Sequence, residues 1–466
     1  IALKGLDTGR IKRTVTEEDG NIIYRFTATD VPAEKMYENV PSSTYYIPHV
    51  IPSIASFRKT GGKKDSVILS NNDAHYRYEY AYIKGINIKT DSLLNKKTDE
   101  LTRNDYSPRE KAEHIYKWVQ KNLHYIAFEC GLEGFVPRQA DSVYKRKYGD
   151  CKDMASILTA MCRRAGLDAH FSWIGSNKVP YTHEEMSTPN LYDHMICAVK
   201  IGGDWIFLDG TDNFLPFGAN RVDLQDKEAM VAVSQDKYEV VKLPEAPADK
   251  SVLTDNTTMS ITNSDIAGSV TQHYTGYDAW DLIHVLANKG RKEEKDKLVR
   301  KITARGADNY LCPKYDIYAQ ESGNMDVNVS ADYNVANYVH MAGKQCIVNM
   351  NVKHTFADMR MNDSGRIVPL YYDHKKMVKE SVVLKVPDGY KVLYLPKAAE
   401  GSADGLWSYK ITYTEDKKAN TVTLTKEYTL NTMLIKPSQF EANNKLADSL
   451  IKEYKETVVL TAKNKR

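Results

Sequence analysis

The sequence predicts an α+β protein, with a mixed helix–strand core flanked by a β-rich N-terminal domain and a β-sandwich-like C-terminal domain. Three textures carry this reading. Residues 1–95 read as short strands between Pro- and Gly-containing loops. Residues 96–240 alternate strong helices with strands. Residues 241–466 turn strand-rich again, with a helical insert near 280–305 and a terminal helix. At 466 residues the chain exceeds what one hydrophobic core usually serves, and Pro244-Glu245-Ala246-Pro247 reads as a linker.

The flanks rest on alternation. Asn21–Thr29 and His75–Ile83 read as strands in the first part. In the last part, Ser381–Leu395 reads as two strands about Pro387-Asp388-Gly389, and Ser408–Ile435 as a pair with a charged turn at Glu415–Lys418. Ser438-Gln439-Phe440-Glu441 has the form of a capping box opening a final helix. Lys289–Arg300 mixes acids with bases and reads as a solvated helix face.

Composition excludes several classes. Hydrophobic content of 42% with 27% charged residues is that of a folded globular chain. The balance of 64 basic against 61 acidic residues argues against a nucleic-acid partner on global charge. No apolar run approaches the ~18 residues that would cross a bilayer as a helix. Gly61-Gly62-Lys63-Lys64 lacks the spacing of a phosphate loop, and His183-Glu184-Glu185 lacks the second histidine of a zinc-protease motif and reads as a solvated loop. No cofactor and no metal are therefore expected. The six cysteines, 130, 151, 162, 197, 312 and 346, form no CxxC pair. The chain opens on Ile1 rather than Met and is expected to be a processed product.

Chemistry concentrates in the middle segment. Ser107-Pro108-Arg109-Glu110 sets an N-cap, a proline at the first helical position and a glutamate at the third, followed by a stripe at Ala112, Ile115, Tyr116, Val119 and Leu123. This helix is scaffold. A second amphipathic helix follows Gly149-Asp150-Cys151-Lys152-Asp153, with a stripe at Met154, Ile157, Leu158, Met161, Cys162 and Ala165 and a stop at Gly166. Cys151 falls at or just before its first turn, where unpaired N–H groups and the positive end of the macrodipole favour a thiolate, and Lys152 adds to the field. A cysteine is ordinarily a small core residue, and Cys162 is read so.

Asp193–Ile201 and Asp204–Asp209 read as strands joined by Gly202-Gly203, a dipeptide suited to a two-residue turn with positive φ. That loop makes opposed residue numbers sum to 405, so Asp209 faces Ile196 and lies diagonal to His194 on one face, ~7–8 Å apart at Cα. A loop one residue longer would put them on opposite faces. An imidazole beside a carboxylate is the arrangement of an oriented general base. Alone, such a pair is ordinarily a structural hydrogen bond, so the case rests on cysteine, histidine and aspartate together. Trp205, beside this hairpin, reads as a packing residue rather than a cleft floor, and His170 and Trp173 as core or edge residues of a strand.

The order Cys, His, Asp, with Gly149-Asp150-Cys151-Lys152-Asp153 at a helix start, Asp193-His194 on one strand and Leu208-Asp209-Gly210-Thr211 on the next, resembles the transglutaminase-like (papain-like) superfamily. It is similar in particular to bacterial members whose core sits between two β-rich domains of unknown function. Gly134-Phe135-Val136-Pro137 upstream and Gly166-Leu167 downstream extend the match, which covers about 100–235. Residues 1–60 resemble only the last part of the usual N-terminal domain.

The resemblance implies Cys151 as nucleophile, His194 as base and Asp209 as orienting acid. It leaves the oxyanion partner of the Cys151 N–H open among Gln139, Tyr144 and Trp118, with Gln139 preferred. The expected function is a cysteine-dependent hydrolase, peptidase or amidase, acting on a peptide or protein substrate through a thioester. A protein-glutamine transglutaminase and a catalytically silent cell-envelope binding module are the alternatives. Export to the periplasm or cell envelope of a bacterium is expected from the resembling proteins.

Overall fold

Residues 1–463 are described here from a computed structural model, except positions 7, 32, 34, 36, 59, 64, 106, 128–129, 289–290, 307–308, 320–324 and 363–364. Lys64 of the glycine–lysine run and Lys289 of the basic stretch thus lie outside the described residues. The chain divides into two compact units, Ile1–Glu245 and Ala246–Arg466.

In the first unit an N-terminal hairpin pairs β1 (Lys12–Glu18) with β2 (Asn21–Thr27). Helices α1 (Asn72–Ile83), α2 (Ser92–Leu101), α3 (Pro108–Asn122), α4 (Ala140–Arg146) and α5 (Cys151–Arg164) follow. A five-stranded antiparallel sheet comes next, from β3 (Asp168–Ile174), β4 (His194–Ile201), β5 (Asp204–Leu208), β6 (Glu228–Ser234) and β7 (Lys237–Lys242), in the order β5-β4-β3-β6-β7.

Segment 75–83, expected as a strand, is helix. Its tyrosines alternate as strand residues do, yet His75, Tyr76, Glu79 and Ile83 are the buried positions, at the three- and four-residue spacing of a helix. Asn71 fixes the start by accepting from Ala74 N at 2.8 Å. Helix α3 begins as its sequence indicates, with Ser107 Oγ accepting from Glu110 N and Glu110 Oε2 accepting from Ser107 N. Its apolar stripe, Ala112 to Val119, is buried.

Helix α5 is the centre of this unit. The sequence reads as one buried face, but all twelve residues from Cys151 to Cys162 are buried. The apolar face joins Ile115, Val119, Cys197 and Leu208 in one core, where each of Ile157, Leu158 and Met161 contributes roughly 1.5–3 kcal/mol. Three of the polar positions are enclosed with partners: Lys152 Nζ is 2.8 Å from Asp150 Oδ2, Asp153 pairs with Arg138, and Ser156 Oγ donates to Arg138 O.

The second unit holds β8 (Val252–Thr262), β9 (Asp265–Thr275), α6 (Gly276–Asn288), α7 (Lys292–Thr303), β10 (Leu311–Ala319), β11 (Asp326–Val335), β12 (His340–Ala342), β13 (Gln345–Val348), β14 (Lys376–Lys385), β15 (Tyr390–Tyr394), β16 (Ala399–Ala403), β17 (Trp407–Asp416), β18 (Thr421–Leu430), α8 (Phe440–Glu453) and β19 (Val458–Ala462). Eight strands form one sheet, β10-β11-β9-β8-β14-β18-β17-β16, and four another, β12-β13-β19-β15. One face of the large sheet is core, as the strict in–out alternation along β11 shows.

The strands β14 and β15 flank the expected turn at 387–389 but belong to different sheets. The pair β17–β18 is a hairpin, as its alternation indicates. The last helix starts at Phe440, after a short 3-10 turn at Pro437–Gln439 that displaces Ser438 from the capping position. Helix α7 turns only Val299 and Thr303 fully inward, in keeping with a solvated face.

Candidate active site

Cys151 is the first residue of α5. Asp150 precedes it as N-cap, its Oδ1 accepting from Lys152 N at 3.0 Å and Asp153 N at 3.2 Å, while Asp153 Oδ2 accepts from Asp150 N at 3.2 Å. This reciprocal cap leaves the Cys151 N–H at the helix start, where no intrahelical acceptor exists.

Asp153 does more than cap. It accepts from Arg138 N at 2.9 Å and from Arg138 Nη1 at 2.6 Å, tying the 133–138 segment to the helix start.

His194 and Asp209 come together through the hairpin. Gly202 and Gly203 have φ of 64° and 97°, and the register pairs Ile201 with Asp204 and Cys197 with Leu208, so opposed numbers sum to 405 as the two-glycine turn requires. Asp209 follows β5 directly, and its Oδ2 lies 2.8 Å from His194 Nε2. The other carboxylate oxygen accepts from Thr211 N at 3.0 Å and Thr211 Oγ1 at 2.7 Å. Tyr116 OH donates to Asp209 O at 3.2 Å, joining α3 to the same position.

The electrostatics follow from burial and pairing. Burial alone would push His194 down. The Asp209 charge and hydrogen bond, followed by its interaction with Cys151, outweigh that and raise it to about 10. Asp209, whose burial works the other way, is held well below the usual carboxylate range by His194, Arg221 and Thr211. Arg221 stands 3.5 Å from Asp209 Oδ2 and 3.2 Å from Thr211 Oγ1, itself held by Asp223. Sequence reasoning missed Arg221, twelve residues beyond Asp209 in a loop with no periodic signal.

Cys151 and His194 line one cavity of about 250 Å³, together with Glu79, Phe135, Lys152, Trp173, Tyr192 and Asp193. Cys151 is 5% exposed, its access being through this cavity.

The expected oxyanion candidates lie elsewhere. Gln139 is exposed, and its amide is spent on the 85–87 turn, accepting from Asn87 N at 2.7 Å and donating to Gly85 O at 3.1 Å. Trp118 and Tyr144 stack on each other with Lys147 over both rings, away from the cavity lining. These expectations came from residue type without a spacing constraint, and the packing of α4 overrides them.

Other positions also differ from expectation. His183 is buried, not solvated, with Nδ1 2.8 Å from Glu228 Oε2 and Nε2 2.8 Å from Tyr192 OH. Trp205 donates to Glu239 Oε2 at 2.9 Å as a packing residue, and Trp173 is the tryptophan of the cavity wall. Among the described residues, no three His, Cys, Asp or Glu side chains converge as metal ligands.

Residues 95–210 match the transglutaminase-like superfamily, and residues 344–460 match the Domain of Unknown Function DUF3858. The chain thus carries a transglutaminase-like core in an α+β architecture with β-rich flanks. The crystal structure of a "putative protease" from Parabacteroides distasonis is similar over 99% of this chain and 69% of its own, with a TM-score of 0.56 and 12% identity, a likeness of fold. A "putative cysteine protease" from Cytophaga hutchinsonii aligns with 26% of this chain and 37% of its own, at 22% identity and a TM-score of 0.21. No curated protein matches the chain.

Proposed function

We propose that this chain is a cysteine-dependent hydrolase of peptide or amide carbonyls, with Cys151 as nucleophile, His194 as base and Asp209 as the acid that orients it. The observation that carries the reading is the 2.8 Å contact of His194 Nε2 with Asp209, made by an imidazole that shares a cavity with a cysteine at a helix start.

In this reading the thiol proton passes to His194, and the sulfur attacks the carbonyl carbon. The carbonyl electron pair moves to oxygen, where the Cys151 N–H stabilises the charge. The imidazolium returns its proton to the leaving amine as the C–N bond breaks, giving a thioester. Water, deprotonated by His194, then releases the acid and the thiol. Asp209 remains ionised throughout and holds the imidazole ring.

The test is mass spectrometry of a peptide library incubated with the chain, with and without a primary amine, using Cys151→Ala as control. Cleavage or deamidation that vanishes in the variant supports a hydrolase, whereas amine incorporation would mark an acyltransferase. Iodoacetamide labelling separates both from a silent module. Cys151 is expected to react first among the six thiols near pH 7, and equal reactivity of all six would sink the enzymatic reading.

A further inference from the structure

Helix α1 places one carboxylate in the cavity that the proposed mechanism does not use. Glu79 lines the cavity beside Cys151 and His194, with its side chain only 6% exposed. A buried carboxylate is costly unless it is paired or hydrogen-bonded. Among the described residues it accepts no hydrogen bond, and its one close basic neighbour is His75 Nε2 at 3.5 Å. His75 is fully buried, and among the described residues neither of its ring nitrogens has a hydrogen-bond partner.

The remaining charges in the wall are committed. Lys152 is paired with Asp150 at 2.8 Å, and the Asp193 carboxylate accepts from Ser176 N at 2.7 Å and Ser176 Oγ at 2.6 Å. Around Glu79 the cavity is aromatic, walled by Phe135, Trp173 and Tyr192. Ring faces attract cations, and a carboxylate at low dielectric attracts them more strongly.

We propose that Glu79 makes this cavity a receptor for a cationic group, an ammonium or guanidinium carried by the substrate close to the amide that Cys151 attacks. The proposal rests on the hydrolase reading for what happens next, but the binding preference is measurable without turnover. An alkylammonium head fits beside the carboxylate with its stem against the rings. A neutral isostere would leave Glu79 with only His75, at 3.5 Å, and an anion would be repelled.

The test uses the full chain and charge-differing reagents for Cys151: 2-bromoethylammonium, iodoacetamide and iodoacetate, with rates read by peptide mass spectrometry and normalised to free cysteine. The expected result is that Glu79→Gln lowers the bromoethylammonium-to-iodoacetamide rate ratio about tenfold and raises the iodoacetate-to-iodoacetamide ratio. Unchanged ratios in a folded variant would overturn the proposal. If the variant does not fold, the wild-type chain decides alone: n-butylammonium should protect Cys151 from iodoacetamide at about one-tenth the concentration of n-butanol, and equal protection by the two overturns it. A Cys151 no faster than the other thiols would defeat the hydrolase reading while leaving both ratios readable.

Discussion

His194 gives one ring nitrogen to Asp209 at 2.8 Å across a turn of two glycines, and the strand start that carries it opens into the same cavity as Cys151. The contact is buried, with the imidazole side chain 9% exposed and the carboxylate 5%. Water therefore screens it weakly, and its removal should be felt in both chemistry and stability.

Asp209→Asn keeps the size of the side chain and removes the charge. The imidazole then loses the partner that holds it raised. Turnover of a cleaved peptide is expected to fall roughly 10²–10⁴-fold, with a slower reaction of Cys151 toward iodoacetamide near pH 6. A variant within threefold of wild type in both assays would remove Asp209 from the proposed mechanism.

The same pair predicts a pH profile of stability. His194 is raised from about 6.5 to about 10, so its stabilisation is complete below about pH 6.5 and drains away as pH climbs toward 10. Asp209 is depressed, so its share is present above the ordinary carboxylate range and is lost only in strong acid. Urea midpoints should peak between about pH 4 and 6.5 and decline on the alkaline side. In Asp209→Asn that alkaline decline should be shallower, and identical slopes would contradict the assignment.

In the proposed mechanism Arg221 would position rather than react, since it reaches Asp209 and Thr211 but is not among the residues lining the cavity. Arg221→Met should reduce kcat about tenfold with KM little changed, and shift the alkaline limb of the rate profile to higher pH, because a cation that competes with the imidazolium for Asp209 Oδ2 is gone. An effect confined to KM would mean that Arg221 meets substrate instead.

Gly149 sits against the cap of α5. A Cβ built there would lie 2.7 Å from Asp153 Oδ2, so the carboxylate that closes the cap must move. Gly149→Ala is expected to cost about 1–3 kcal/mol in chemical denaturation and to slow Cys151 alkylation severalfold. Normal stability with normal alkylation would show that the cap yields without consequence.

The parts of the site that were legible in sequence are those fixed by local rules. Gly202-Gly203 set the register that joins His194 to Asp209, and the apolar stripe from Met154 to Ala165 with its Gly166 stop put Cys151 near the start of its helix. What escaped depends on tertiary neighbours. Tyrosine alternation hid helix α1, because its buried positions are defined by contact with Trp173 and Met195 rather than by polarity. The full enclosure of α5 was equally invisible, since Lys152, Asp153 and Ser156 look solvent-facing until their partners Asp150 and Arg138 are in place. Arg221 and Glu79 carry no motif at all.

Asp153 moors two things to one carboxylate: the residue proposed to attack, two positions upstream, and through Arg138 the short stretch whose Gly134 and Phe135 form the rim. Entrance and nucleophile therefore travel as a single piece. Under the proposed mechanism, any drift that loosened the rim to admit a bulkier substrate would also misplace the sulfur, leaving this scaffold little freedom to broaden its diet without slowing the proposed chemistry.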